Sequence, residues 1–384
     1  MLPLVLYAGS VAMERIFGIT ALMGGNRFMA TTVMCVALGI IGGIYAIFGG
    51  LKAVAVSDSL NGIIFIIGAV ILIPVLAFIA LGDGSIAEGI RLFATSSPEH
   101  LNAIQPANAQ PPYIPWPMIV LGCGINHISY WCTNQSIMQR VLGAKNLKEA
   151  QKGSLLTGLT CVFCPIFLVA PGVIQFIRDG GVLTDFDMAY PSLIKDILPT
   201  PVLGFFAAVM FGAILSSFNS VLNSASTMFT LDLYRSSINP SASDTKCVKV
   251  GKIYGTIAGC IAIVISPFVM YAGGITTFLN SMSQFVSLPV LCTILGIFMF
   301  KRIPKYMPKV ITVFHVVCYG AFLLIKPCYP GSSNPIHYLY AMAVLFPIEL
   351  LIMWYLNKYH PAEEYEIRDV GAVDLTPWKY RHVV

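Results

Sequence analysis

The chain has 384 residues, of which 57% are hydrophobic and only 11% charged, against about 25% charged in an ordinary soluble domain, and its mean hydropathy is +0.78. Its 23 basic and 18 acidic side chains are too few to give a soluble body of this size a polar skin. That excludes a soluble globular enzyme, a disordered chain and a nucleic-acid binder with a broad basic face; the net charge of +5 needs no anionic partner, because membrane proteins gather basic residues in their cytoplasmic loops.

Crossing the hydrocarbon layer takes about 20 mostly apolar residues in a helix. Ten segments qualify as candidates: 1–23, 29–49, 54–81, 115–138, 154–177, 201–234, 250–272, 275–300, 310–325 and 336–356. The first is the weakest, because Glu14 and Arg15 interrupt it. The segment does not read as a signal peptide. The expected layout is one transmembrane helical domain over residues 1–356, followed by a polar cytoplasmic tail over 357–384.

Loop charge sets the expected orientation. Loops 140–152, 235–252 and 301–309 carry four Lys or Arg each and only Glu149 and Asp244 as acids. The alternating loops 82–113, 178–200 and 326–337 hold four basic and seven acidic residues. The first set is therefore expected in the cytoplasm, in a multi-pass protein of the cell membrane.

Two segments read as discontinuous. Segment 115–138 has Pro115, Pro117, Gly122 and Gly124, then a polar run; segment 275–300 has Thr276, Thr277, Asn280, Ser281, Ser283, Gln284, Ser287 and Pro289. Broken polar helices survive in a membrane only against protein or a watery cavity, and in secondary transporters they build the midplane site. The alternative is kinked packing helices whose hydroxyls bond back to their own backbone.

His127, Tyr130 and Asn134 fall on one helical face of the run Asn126 to Gln135. Unpaired polar groups cost several kcal/mol in lipid, so this face belongs against a cavity or neighbouring helices. Asp58 reads as lying in the first turn of its segment. It would gain on the order of 0.3–1 kcal/mol from the helix dipole there, or draw a cation to the cytoplasmic mouth of a pathway. Ser216 and Ser217 are adjacent, with Ser220, Ser224 and Ser226 following; one hydroxyl can face a cavity while the other bonds a carbonyl one turn back. Hydroxyls and freed carbonyls suit a hard cation such as sodium, and small residues for close helix packing are the alternative.

Most of the ten cysteines sit inside apolar runs, which makes them small packing residues rather than a disulfide framework. Cys161 and Cys164 form a C-x-x-C with no second ligand pair nearby, so zinc is not expected. The sequence carries no H-E-x-x-H, G-x-S-x-G or P-loop signature, and thus neither an enzyme nor an ATP-driven pump is indicated.

Several stretches resemble the sodium/solute symporter family in its sodium/sugar cotransporter branch. They are Gly49-Gly50-Leu51-Lys52-Ala53-Val54-Ala55-Val56-Ser57-Asp58, Tyr130-Trp131-Cys132-Thr133-Asn134-Gln135 through Gln139-Arg140, and Ala189-Tyr190-Pro191. The longest is Ser216-Ser217-Phe218-Asn219-Ser220-Val221-Leu222-Asn223-Ser224-Ala225-Ser226-Thr227-Met228-Phe229-Thr230, and Val373-Asp374-Leu375-Thr376-Pro377-Trp378-Lys379 follows late in the chain.

The resemblance implies an all-helical membrane core of two inverted five-helix repeats. It aligns the chain's start inside the third core helix, with the first two core helices lacking a counterpart. By the resemblance, half of a sodium site falls on the Ala213 carbonyl and the Ser216 and Ser217 hydroxyls, and Asp58 on the carboxylate near the sodium exit. Tyr130 falls on the aromatic closing the inner side of the sugar pocket, next to Trp131. The solute positions fall on His127 with Asn126, on Cys161, and on Ser281 flanked by Asn280 and Gln284. These depart from the sugar carriers' Asn or Thr, Lys and Gln. The implied function is sodium-coupled import of a polar, sugar-like solute by alternating access. Its partners would be sodium, the solute and membrane lipid, with no cofactor and no nucleic acid. The alternative is a truncated, non-transporting sensor or interaction form, or a gene-model fragment.

Overall fold

The structure, a computed structural model, describes residues 1–102, 104, 116–183, 186–271, 275–325, 337–363 and 374–379. Among these residues the regular structure is entirely helical. Eight helical stretches are long and apolar enough to cross a membrane: Arg27–Tyr45, Asn61–Leu81, Leu147–Arg178, Thr200–Ile238, Asp244–Tyr271, Leu279–Met299, Met307–Leu324 and Tyr338–Tyr359. They fall on eight of the ten expected segments. The remaining two form helices outside this set, a 16-residue one in 1–23 and an 18-residue one, ending in the polar run, in 115–138. The nine described cysteines are free thiols. The chain divides into two compact units, Met1–Asn102 with Leu159–Ile275, and Ala103–Gly158 with Thr276–Val384.

The first unit begins with α1 (Leu2–Phe17), closed by Gly18 at φ 66°, a left-handed position that glycine occupies without a Cβ clash. A single turn, α2 (Ile19–Leu22), leads to α3 (Arg27–Phe65), whose Asn26 cap accepts the Met29 N–H at 3.0 Å. Helix α3 runs unbroken through the expected segment 29–49 and on into the first part of segment 54–81, as far as Phe65. Its sequence holds no proline, and its glycines weaken a helix without interrupting it. Asp58 therefore lies deep inside α3 rather than in a first turn, and the dipole reading of that residue does not stand; its side chain lies outside the described residues.

A π-helical stretch, Ile66–Leu72, links α3 to α4 (Ile73–Leu81). Pro74 supplies no N–H, so a carbonyl one turn back loses its α-helical partner and the backbone widens there. Helix α5 (Ile86–Ser96) folds back on α4. Gly89 permits this contact, since a Cβ there would stand 1.9 Å from the Phe78 carbonyl oxygen.

The polar run ends α6 (Trp116–Thr133), and α7 (Gln135–Leu142) follows. The expected discontinuity falls at Asn134, whose side chain accepts the Ser136 N–H at 2.9 Å. An Asn in extended conformation makes a new helix start. The division between the two units lies inside α8 (Leu147–Leu168). Helices α9 (Ala170–Arg178), α10 (Ala189–Ile197), α11 (Thr200–Met228) and α12 (Asp244–Ile265) complete the first unit. A second π-helical stretch, Phe229–Ile238, extends α11.

Helices α1, α3, α11 and α12 pack mutually around Leu6, Leu38, Phe218, Leu222 and Ala262. Between membrane helices the attraction comes from close packing. Gly39 provides it by admitting Ile263, whose Cγ1 lies 2.3 Å from where a Cβ would stand.

In the second unit, α13 (Ile275–Met299), α14 (Met307–Ile325) and α15 (Tyr338–Tyr359) join α6. Their core includes Met118, Leu288, Met307, Ile311, Tyr319, Leu339, Met342 and Met353. Helix α13 is continuous despite Pro289, so the expected break in segment 275–300 is absent. Its hydroxyls bond back along the same helix: Ser283 Oγ to the Asn280 carbonyl at 2.9 Å, and Thr293 Oγ1 to the Pro289 carbonyl at 2.7 Å.

Candidate functional site

Two clusters carry the expected site residues, one in each unit. In the first, the small residues of α11 let it lie against α3. A Cβ on Gly212 would stand 2.6 Å from the Asn61 side-chain nitrogen, so α3, the helix of Asp58, meets α11 beside Ala213. Ala213 and Ser216 are half-buried and Ser217 is exposed. Further along, Ser220 Oγ donates to the Ser216 carbonyl at 2.6 Å, and Ser224 Oγ to the Ser220 carbonyl at 2.7 Å. The later serines thus satisfy themselves locally. Among the described residues neither the Ser216 nor the Ser217 hydroxyl makes a hydrogen bond of its own, which leaves both oxygens available to a cation.

The second cluster lies between α6 and α13. Gln284 is buried, and its Nε2 donates to Asn126 Oδ1 at 2.7 Å and to the Asn280 carbonyl at 3.1 Å. Ser129 Oγ donates to the Ser287 carbonyl at 2.8 Å. Ser281 is buried, and its carbonyl accepts the Tyr319 hydroxyl at 2.9 Å. The Gln284 Oε1 atom is buried with no partner among the described residues. An orphan acceptor of this kind costs about 1–3 kcal/mol unless water or a ligand supplies a donor.

The structure therefore joins Asn126, Asn280 and Gln284 directly, with Ser281 beside them. His127 stands apart; it is exposed and its Nδ1 lies 2.9 Å from its own helix's Cys123 carbonyl. Tyr130 and Trp131 are exposed and meet edge to face, with centroids 5.3 Å apart. Cys161 belongs to the other unit, half-buried on α8.

Three polar features escaped the sequence reading. Asn219, fully buried on α11, has both side-chain polar atoms unpartnered among the described residues. His315 Nδ1 and Glu349 Oε1 meet at 2.7 Å between α14 and α15, both fully buried. Glu14 and Gln175 are both buried in the first unit. Ionisable residues inside apolar runs are the signal that could have found His315, Glu349 and Glu14.

Eight long apolar helical stretches among the described residues define a multi-pass helical membrane protein. The Sodium:solute symporter family matches residues 4–306, and the chain belongs to that family, whose members are transporters rather than enzymes. It is 36% identical to an uncharacterized symporter, YidK, of Escherichia coli K12, over 98% of this chain and 65% of that protein. It is 28% identical to the Bos taurus sodium/myo-inositol cotransporter 2, over 98% of this chain and 59% of the relative. It is 30% identical to the Vibrio parahaemolyticus sodium/glucose cotransporter, over 84% and 61%. The chain thus spans less than two thirds of the length of these relatives. A substrate-bound, outward-open Na+-coupled sialic acid symporter superposes with a TM-score of 0.68 at 20% identity, over 95% of this chain and 74% of that one. At that identity the likeness establishes the fold.

Proposed function

We propose that this chain carries the solute pocket and part of the sodium site of a sodium-coupled symporter that imports a polar, uncharged, sugar-like solute by alternating access. The observation that carries this reading is the buried Asn126–Gln284 pair with its orphan Gln284 acceptor. Neutral amides and hydroxyls recognise hydroxyl-bearing solutes without fixing a charge in the membrane. Names of relatives, cotransporters of glucose and myo-inositol, support the same solute class. Asn126, Asn280, Ser281 and Gln284 would hold the solute. Tyr130, with Trp131, would close it from the cytoplasmic side. Ala213, Ser216 and Ser217 would contribute three oxygens to sodium, and Asp58 would line its exit. One sodium ion moving down ~100 mV releases about 2.3 kcal/mol, enough for roughly fifty-fold accumulation of a neutral solute.

The test is sodium-dependent binding of tritiated solute to a full-length version of the protein. Ser217→Ala should raise the sodium concentration for half-maximal binding several-fold, and Gln284→Leu should weaken solute at any sodium concentration. Solute binding that ignores sodium, or survives Gln284→Leu unchanged, would overturn this reading.

A further inference from the structure

A cavity of about 550 Å³ opens in the first unit among α1, α3, α9 and α10, lined by Glu14, Arg15, Arg27, Gln175, Asp179 and Asp196. It adjoins the 178–200 loop, which the charge bias places outside the cell. None of these residues belongs to the serine pair or the amide cluster.

Two of its walls hold buried acceptors with nothing to accept. Glu14 is only 4% exposed; its Oε1 takes a hydrogen bond from the Thr20 hydroxyl, while Oε2 has no partner among the described residues. Gln175 is also 4% exposed. Its Nε2 donates to both Asp179 oxygens at 3.0 Å, which fixes the amide and leaves Oε1 without a donor. The lining is also cationic, with Arg15 and Arg27. Arg15 Nε donates to Ser192 Oγ at 3.1 Å, and Lys195 Nζ donates to the Arg15 carbonyl at 3.2 Å, so the Arg15 end of the wall is held in place.

This lining selects its ligand by chemistry. Three carboxylates repel an anion, and two guanidiniums in the same wall repel an inorganic cation. Among the described residues no three His, Cys, Asp or Glu side chains converge to hold a metal ion. Guanidiniums can only donate, carboxylates can only accept, and a hydroxyl does both. The volume is that of a small-molecule pocket. We propose that this cavity is a second, outward-lying binding site for a neutral polyhydroxylated solute, with Glu14 and Gln175 accepting from its hydroxyls and the arginines donating to them. It would gather solute at the outer end of the first unit. The site stands independently of the sodium-coupled reading, since its residues take no part in that pocket.

Equilibrium binding of tritiated myo-inositol and D-glucose to the purified full chain, by scintillation proximity, tests the site. The background is Gln284→Leu, which disables the amide cluster. In that background saturable binding of at least one probe should persist. Glu14→Gln should weaken it about tenfold, the value of a hydrogen bond to a charged acceptor. Asp196→Asn, at an exposed position where folding is not at stake, should weaken it as well. Binding that disappears with Gln284→Leu alone, that ignores both Glu14→Gln and Asp196→Asn, or that is absent from the unsubstituted chain would overturn the proposal. The first of these outcomes would leave the amide-cluster reading intact.

Discussion

Replacing His315 by leucine should be among the most destabilising single changes in the second unit. His315 and Glu349 are each 0% exposed and joined at 2.7 Å. Tyr319 stacks on His315 with centroids 5.4 Å apart. Two buried polar side chains are tolerated in a low-dielectric interior when each meets the other. His315→Leu leaves Glu349 facing methyl groups. Removing one partner of a buried pair costs about 3–5 kcal/mol; at ~2–4 °C per kcal/mol for a body of this size, the melting temperature should fall on the order of 10 °C. Glu349→Gln keeps a polar partner for Nδ1 and should cost only about 1 kcal/mol. The double variant His315→Leu/Glu349→Met removes both polar groups and should recover most of the loss. Thermal unfolding of the purified chain in detergent reads all three. If His315→Leu melts with the unsubstituted chain, or the double variant melts no higher than His315→Leu, the pair is not the buried unit described here.

Two further outcomes follow from the helix contacts and the loop charges. Gly89→Ala should loosen the α4–α5 contact by about 1–3 kcal/mol, because the new methyl would overlap the Phe78 carbonyl, and faster proteolysis within 86–96 would report it. Cysteines introduced into loops 140–152, 235–252 and 301–309 should resist an impermeant thiol reagent added outside, while ones near Ser97 or Gly181 react; the reverse pattern would invert the orientation.

Hydropathy alone located eight of the ten expected segments as helices long and apolar enough to span. Burial of a helix in lipid is a sum over about 20 neighbouring residues, and a local sum can be read from a linear chain. Polar residues placed against that sum, the Asn126 to Gln135 run and the Ser216–Ser217 pair, also stood out, since lipid gives them no alternative partner. Family membership was legible for the same reason, in stretches such as Ser216 to Thr230. Continuity was not. Helix α3 joined segment 29–49 to the start of segment 54–81, segment 275–300 stayed whole, and the break in segment 115–138 fell at Asn134. Whether a glycine or proline bends, widens or leaves a helix depends on the neighbours that re-satisfy its backbone.

Pairing was even less legible. Asn126 and Gln284 lie 158 residues apart in the chain and 2.7 Å apart in the fold; His315 finds Glu349, 34 residues further on; Gln175 and Glu14 meet only at a shared cavity. The composition of each helix states that a polar group needs a partner. Which partner it meets is set by the register and rotation of one packed helix on another, and those exist only in the tertiary structure.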